Sequence, residues 1–241
     1  MSAAAERPTS SATQPQELRI QAASSGVTVA ALLLRPARAA WLLVLGHGAG
    51  AGMNHPFMAE LAGRLARRRI ATLRYRFPYR EAGRRRPDHA RLLESTTRAA
   101  IAAASEQAAD LPLLAGGKSM GGRMTSRAVA AEPPPRVRGL VFFGFPLHPA
   151  ARPGVERADH LRAVRPPMLF LSGDRDRLAE LDLLRPVCAG LGDRATLRLI
   201  AGADHGFHVL KRSGRNDAEV LDELADATAA WATDLAAGSP T

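Results

Sequence analysis

Short apolar runs alternate with segments of helical periodicity along most of this chain. The apolar runs of strand length cover residues 18–20, 27–34, 41–46, 70–75, 113–116, 139–143, 168–172 and 196–200. Several of these runs are apolar at nearly every position, which is typical of parallel strands covered by helices on both faces. Between two of them, Phe57, Leu61 and Leu65 recur every four residues, as on one face of a helix. The alternation predicts an α/β fold: a three-layer α/β/α sandwich around a mostly parallel, eight-stranded sheet.

Length and composition predict a single domain. With 241 residues, 46% of them apolar, the chain is long enough to bury a sizeable core. Residues 1–16 have no apolar run, so we expect a disordered tail there and one domain over residues 17–241. We expect no secretory signal and no membrane-spanning helix, and the single Cys188 excludes an internal disulfide. These features predict a cytoplasmic protein without a membrane partner.

The formal net charge of +10 raises the question of a nucleic-acid partner. Only Lys118 and Lys211 are lysines among the 33 basic residues, so the charge reflects an arginine bias spread through the chain. No recognised nucleic-acid-binding motif accompanies it. We therefore predict a solvated basic surface and no specific nucleic-acid partner.

The segment Gly117-Lys118-Ser119-Met120-Gly121 follows an apolar run and precedes a helix-like stretch. In a Gly-x-Ser-x-Gly turn between a strand and a helix, the two glycines remove side chains that would clash with these elements. The hydroxyl group of the serine is then exposed at the tip of the strand. The spacing predicts Ser119 as a nucleophile, which requires a general base beside it.

An acid and a base should follow the serine in the order Ser, Asp or Glu, His. Only His205 and His208 of the seven histidines lie beyond a candidate acid, and His205 lies nearer to the last strand and next to a glycine. We predict His205 as the base. Asp176 is the preferred acid because a loop leaving the strand at Gly173 could turn back there, and Asp174 stays as the alternative.

Two backbone N–H groups should form the oxyanion hole. One belongs to Met120, the residue after the nucleophile, and the other to the glycine-rich loop after the third strand. That loop reads Gly46-His47-Gly48-Ala49-Gly50, and we predict Ala49 as the second donor.

The sequence constrains the substrate only by class, a small acyl compound. About twenty residues separate Phe145 from Pro166, too few for a large helical cap, so we expect an open site. Arginines such as Arg80 and Arg123 would favour anionic substrates. Four residues that follow strands are candidates to line an acyl or alcohol pocket: Phe77, Tyr79, Leu147 and His148.

Cofactor and metal sites are not expected. A phosphate-binding loop ending in Gly117-Lys118-Ser119 needs a glycine where this chain has Pro112. No paired Cys/His spacing and no His-Glu-x-x-His segment indicates a metal site. We predict chemistry that uses neither a cofactor nor a metal.

Four segments agree in type, order and strand context with one known superfamily. They are His47-Gly48-Ala49-Gly50, Gly117-Lys118-Ser119-Met120-Gly121, Gly173-Asp174-Arg175-Asp176 and Gly202-Ala203-Asp204-His205-Gly206-Phe207. The chain resembles the α/β-hydrolase superfamily from about Leu18 to its C-terminus. More narrowly, residues 47–58, 116–123 and 144–149 are similar to the dienelactone-hydrolase-like group. Within it, the chain is most similar to bacterial relatives of the testis-expressed and nonspecific-lethal-complex hydrolase-like proteins of animals.

The resemblance implies a hydrolase with nucleophile Ser119, acid Asp176 and base His205. Dienelactone hydrolases proper carry cysteine at the nucleophile position, where this chain has serine. We therefore expect a serine hydrolase that cleaves an ester-like bond, either a carboxylester or a thioester. The alternative is a binding or scaffold protein that uses the same fold without turnover. The oligomeric state is left open.

Overall fold

The protein forms one eight-stranded sheet with helices on both faces. The structure, a computed structural model, describes residues 14–22 and 26–238. The strand order is β1-β2-β4-β3-β5-β6-β7-β8. The strands are β1 Gln16–Ala22, β2 Val27–Leu34, β3 Trp41–Gly46, β4 Ile70–Tyr75, β5 Leu113–Lys118, β6 Val137–Phe143, β7 Met168–Gly173 and β8 Ala195–Ile200. The predicted three-layer α/β fold is confirmed.

All eight predicted strands are present, and three have the predicted bounds. The other five extend by one or two residues at one or both ends, and β1 extends by two residues at each end. That strand begins at Gln16, the last residue of the predicted tail, because it pairs with β2 up to Leu33. Residues 1–13 of that tail lie outside the described residues.

The sheet is parallel in its centre and antiparallel at one edge. Strands β4, β3, β5, β6, β7 and β8 pair in parallel, whereas β2 is antiparallel to both β1 and β4. The helices are α1 Pro56–Arg67, α2 Pro78–Glu81, α3 Ala90–Gln107, α4 Met120–Ala131, α5 Leu181–Leu191 and α6 Asp217–Ala237. A capping box formed by Asn216 and Glu219 opens α6.

Two apolar layers cover the faces of the sheet. Side chains of α3, α4 and α5 pack on one face, where Cys188 lies buried among them. Helices α1 and α6 pack on the other face, with Leu61 and Trp231 in that layer. Strands β3, β4 and β7 are buried at every position because helices cover both of their faces.

This topology collects the polar loops at one edge of the sheet. Ser119 follows β5, the segment 174–180 follows β7, and the segment 201–208 follows β8. In a parallel sheet these carboxyl ends share one edge, which is where ligands bind.

Between β6 and β7 only a short 3₁₀ segment, Glu156–Ala163, intervenes, and no large cap is present in the described part of the chain. None of the helices described is long and apolar enough to span a membrane.

Candidate active site

Ser119 stands at a sharp turn between β5 and α4. Its backbone has φ 51° and ψ −115°, an uncommon conformation for a residue with a side chain. A Cβ atom on Gly117 would lie 2.4 Å from the Gly46 carbonyl oxygen, and one on Gly121 would lie 2.2 Å from it. Only glycine fits at these two positions, so the close approach of β3, β5 and α4 explains the Gly-x-Ser-x-Gly spacing.

A chain of hydrogen bonds connects Ser119 with His205 and Asp176. The Ser119 Oγ lies 2.9 Å from His205 Nε2, and His205 Nδ1 lies 2.8 Å from Asp176 Oδ2. The Asp176 carboxylate is buried, and its other oxygen accepts a hydrogen bond of 2.8 Å from the Leu178 N–H group. A carboxylate at Nδ1 fixes the proton on that nitrogen and leaves Nε2 free to accept the serine proton.

The other acidic candidates have local roles. Asp174 accepts a hydrogen bond of 2.8 Å from the Gly202 N–H group and so ties the β7 loop to the β8 loop. Asp204 accepts hydrogen bonds from the N–H groups of Gly206 and His208, which shapes the loop around His205. His208 is exposed and pairs with Asp217 at 2.8 Å. Of the alternatives left open by the sequence, Asp176 is the one that contacts His205.

The two predicted oxyanion donors are unoccupied N–H groups. Neither Ala49 nor Met120 donates its backbone N–H to an acceptor among the described residues. The loop of Ala49 lies against the serine, since a Cβ atom on Gly48 would come within 3.8 Å of the Ser119 Cβ. Two free donors beside the nucleophile can stabilise an oxyanion.

His47 holds the peptide group that carries the Ala49 N–H. The His47 ring is buried, and its Nε2 accepts a hydrogen bond of 3.2 Å from the Phe77 N–H group. The proton is therefore on Nδ1, which donates to the Gly48 carbonyl oxygen at 2.8 Å. Burial lowers the pKa of His47 to about 4, so the ring is neutral near pH 7. Because a trans peptide points its C=O and N–H in opposite directions, this bond turns the Ala49 N–H away from His47.

A second restraint on the same loop comes from Tyr79. Its hydroxyl group donates a hydrogen bond of 2.7 Å to the Ala49 carbonyl oxygen. The ring itself is buried and stacks on Phe77, with 6.5 Å between the ring centroids. The peptide groups on both sides of Ala49 are thus each held by a buried side chain.

Lys118, directly before the serine, reaches the loop of the base. Its ammonium group donates a hydrogen bond of 2.6 Å to the His205 backbone carbonyl oxygen. The nitrogen lies 5.8 Å from the ring centroid of Phe57 and 5.3 Å from that of Phe207, within cation–π range. Burial lowers the pKa of Lys118 to about 8, although the charges of Asp176 and Asp204 oppose the shift. No role for this lysine is predicted from the sequence.

The chain also matches a family of known proteins. Residues 39–233 match the family described as an alpha/beta hydrolase domain. The chain belongs to this α/β-hydrolase family. The match covers every segment that contributes to the site, from the His47 loop to the His205 loop.

Solved structures share the α/β-hydrolase fold with this chain. A dienelactone hydrolase from Anabaena variabilis has a TM-score of 0.71 and 22% identity, over 90% of this chain and 97% of its own. An α/β serine hydrolase without lid from Xanthomonas campestris has a TM-score of 0.69 and 19% identity, over 91% and 95%. An α/β serine hydrolase homologue from Coxiella burnetii has a TM-score of 0.68 and 16% identity, over 88% and 96%. At these identities the likeness shows the fold.

Four residues of the hydrolase domain that were predicted to line a substrate pocket are buried. Phe77, Tyr79, Leu147 and His148 are each at most 1% exposed. The aromatic pair packs beneath the Ala49 loop, whereas Leu147 and His148 turn into the α3–α5 side of the domain. These side chains therefore offer almost no surface to a ligand in this structure. Their pocket-lining role stays a prediction.

His148 connects the loop after β6 to the loop that carries the acid. Its Nε2 lies 2.5 Å from the Glu180 carboxylate, and its Nδ1 lies 2.9 Å from the Pro149 carbonyl oxygen. Both partners are acceptors, so the ring donates twice and is positively charged in this arrangement. Burial alone would lower the pKa of His148, but these two hydrogen bonds and the charge of Glu180 raise it overall.

The part of the hydrolase domain that the structure describes contains no group of three or more His, Cys, Asp or Glu side chains placed to hold a metal ion. Cys188 is buried, and burial raises the pKa of its thiol to about 12, as is typical of a packed, unreactive cysteine.

Proposed function

We propose that the protein is a serine hydrolase that cleaves a carboxylester or thioester by way of an acyl-enzyme. The observation that carries this proposal is the continuous chain of contacts from Ser119 Oγ to His205 Nε2 and from His205 Nδ1 to Asp176, at 2.9 and 2.8 Å. Membership of the α/β-hydrolase family supports it. A narrower relationship to the testis-expressed and nonspecific-lethal-complex hydrolase-like proteins of animals is part of the same proposal, and so is a cytoplasmic location.

The first half of the reaction acylates the serine. His205 Nε2 accepts the proton of Ser119 while the serine oxygen attacks the carbonyl carbon of the substrate. The carbonyl oxygen becomes an oxyanion that binds the N–H groups of Ala49 and Met120, each worth about 3–4 kcal/mol in the transition state. When the tetrahedral intermediate collapses, the imidazolium of His205 gives its proton to the leaving alcohol or thiol.

The second half returns the enzyme to its starting state. Water loses a proton to His205 and attacks the acyl-serine carbonyl group, and the bond to the Ser119 oxygen then breaks. The products are a carboxylic acid and free Ser119, which regains its proton from His205. Asp176 stays ionised and stabilises the imidazolium in both halves.

Labelling by a fluorophosphonate probe, together with hydrolysis of p-nitrophenyl hexanoate, tests the proposal. We expect the wild-type protein to label at Ser119, and Ser119→Ala to lose about 10⁶-fold in kcat, close to 8 kcal/mol. His205→Ala should also lose labelling. His208→Ala is the matched control, because His208 is exposed and contacts Asp217 rather than the serine.

Two results would contradict this assignment. Equal hydrolysis by wild type and Ser119→Ala would show that another group reacts. A folded wild-type protein that neither labels nor hydrolyses acyl substrates would favour the scaffold alternative.

A further inference from the structure

A cleft of about 370 Å³ opens beside the loop of the candidate oxyanion hole. Its lining comes from residues 50–55 and from Arg76 and Arg80. The lining segment begins at Gly50, two residues after Gly48, which lies against Ser119. Arg80 lies close to this segment, since its Nε atom is 3.9 Å from the position that a Cβ atom on Gly52 would take. The cleft is therefore lined by the continuation of the loop that lies against the serine.

The backbone of this loop offers hydrogen-bond donors that the protein does not use. Ala51 and His55 donate their N–H groups to Gly48 and Gly52 within the loop. The N–H groups of Gly50, Gly52, Met53 and Asn54 find no acceptor among the described residues. Successive free N–H groups in a glycine-rich turn are a common feature of anion sites.

The charges around the cleft have one sign. None of the residues that line it is acidic. Arg80 has no carboxylate within salt-bridge distance in the described chain, and its only side-chain hydrogen bond is a long one of 3.5 Å to the Arg84 carbonyl oxygen. Arg76 lies 3.6 Å from Glu81, but that carboxylate also pairs with Arg19. The positive charges of Arg80 and Arg76 both lower the pKa of His47, so their field reaches the base of the oxyanion loop.

A third arginine lies behind the loop. The side chain of Arg74 is buried, donates a hydrogen bond of 2.8 Å to the Met53 carbonyl oxygen, and has no partner for its Nε among the residues described. No carboxylate of the described chain forms an ion pair with it, and burial lowers its pKa. A buried cation without a counter-ion is costly, and an anion bound in front of it offsets that cost.

We infer that this cleft binds an anionic group, a carboxylate or a phosphate, carried by the acyl compound that reacts at Ser119. The inference rests on the proposed function and narrows its substrate class to charged esters or thioesters. The anion pairs with Arg80 and Arg76 and accepts hydrogen bonds from the free N–H groups of the loop. The scissile carbonyl group of the substrate then lies next to the Ala49 N–H group, because Ala49 directly precedes the residues that line the cleft.

A pair of esters of equal chain length tests this inference. The values of kcat/KM for mono-p-nitrophenyl adipate and for p-nitrophenyl hexanoate are measured at pH 7 and constant ionic strength. We expect wild type to favour the adipate by about tenfold or more, and Arg80→Gln to reduce that preference about tenfold. Arg80→Lys keeps the charge but loses the planar fork, so it should retain part of the preference. Arg185→Gln, on the exposed surface of α5, removes one charge elsewhere and should leave the ratio unchanged.

Calorimetry on the full-length Ser119→Ala protein provides a second measurement that needs no turnover. Inorganic phosphate and adipate are titrated separately, and we expect at least one to bind and its affinity to fall about tenfold with Arg80→Gln. Tighter binding of phosphate indicates a phosphorylated substrate, and tighter binding of adipate indicates a dicarboxylic half-ester.

The inference is overturned if wild type hydrolyses both esters equally while Ser119 remains reactive; the proposed function then survives. It is also overturned if anion binding to Ser119→Ala is absent or persists unchanged in Arg80→Gln. If neither ester is hydrolysed and Ser119 does not label, the proposed function fails, and the calorimetric result alone decides whether the cleft is an anion site.

Discussion

The Lys118 ammonium group donates a hydrogen bond of 2.6 Å to the backbone carbonyl oxygen of His205. Lys118 directly precedes Ser119, so one side chain links the residue before the nucleophile to the loop that carries the base. The rings of Phe57 and Phe207 flank the ammonium group, and Phe207 takes an uncommon backbone φ of 65° at this point. We interpret Lys118 as a positioning residue that keeps His205 within hydrogen-bond distance of the serine.

Replacing Lys118 should change the pH dependence of acylation. The pKa of Lys118 is lowered to about 8, mainly by burial, so wild type loses this positive charge as the pH rises through 8. We expect the fluorophosphonate labelling rate to fall above that pH. Lys118→Arg should shift the fall to higher pH because arginine does not titrate there, and Lys118→Met should label about tenfold more slowly at pH 7.

The pH dependence of stability provides an independent check on Lys118. Its folded-state pKa lies below the ordinary value of 10.5, so between about pH 8 and 10.5 the unfolded chain binds more protons at this site. The free energy of unfolding of wild type should therefore rise relative to that of Lys118→Met across this window. If the difference between the two proteins stays constant, Lys118 is not titrating near pH 8.

Asparagine substitutions distinguish the two aspartates of the β7 loop. In Asp176→Asn the amide NH₂ faces His205 Nδ1, which favours the tautomer with its proton on Nε2, and kcat should fall about 10³–10⁴-fold. Asp174→Asn keeps an oxygen that accepts from the Gly202 N–H group, so we expect a change within about threefold. Steady-state kinetics with p-nitrophenyl hexanoate measure both. Comparable losses in the two variants would mean that the loop as a whole, and not the carboxylate at His205, limits the reaction.

Two buried tyrosines provide a matched test of the oxyanion loop. Tyr79→Phe removes the hydrogen bond to the Ala49 carbonyl oxygen, and Tyr75→Phe removes one of 2.9 Å to Thr97. Each should lower the free energy of unfolding by about 1 kcal/mol, because each loses one buried hydrogen bond. Only Tyr79→Phe should also lower kcat, by about tenfold, with KM little changed. A loss of kcat in Tyr75→Phe of the same size would show that stability, rather than the position of Ala49, controls the rate.

The sequence predicts the sheet well because parallel central strands are apolar on both faces. The runs at 41–46 and 70–75 belong to such strands and need no tertiary information to be recognised, and the structure gives them those bounds. The Ser119 turn is predicted for a similar reason, since the close approach of Gly117 and Gly121 to the Gly46 carbonyl oxygen leaves room only for glycine. Local chemistry determines these features.

Side-chain direction in the loops depends on tertiary packing, and there the sequence is a poor guide. Residues 77–79 follow a strand, and the sequence does not show that Phe77 and Tyr79 are buried where the short helix α2 begins. The supporting roles of His47 and Tyr79 require hydrogen bonds between loops 30 residues apart. The position of Lys118 between two glycine-rich segments and next to a nucleophile could have indicated a role at the site. The atom that accepts its hydrogen bond, the His205 carbonyl oxygen, is however 87 residues away in the sequence.

An alanine at Gly121 tests whether the contact between α4 and β3 is essential to the site. The new Cβ atom would meet the Gly46 carbonyl oxygen at 2.2 Å and the His47 carbonyl oxygen at 2.9 Å, and both are backbone atoms. Because α4 must then move away from β3, we expect Gly121→Ala to lower the free energy of unfolding by about 3 kcal/mol or more. Gly63→Ala is the matched control, since nothing lies within 4 Å of its Cβ position in α1 and alanine favours a helix by about 0.5–1 kcal/mol. Denaturant unfolding should therefore show that Gly121→Ala is less stable than wild type and that Gly63→Ala is more stable. A Gly121→Ala protein as stable as wild type would mean that α4 does not need this close approach to hold Ser119 next to the Ala49 loop.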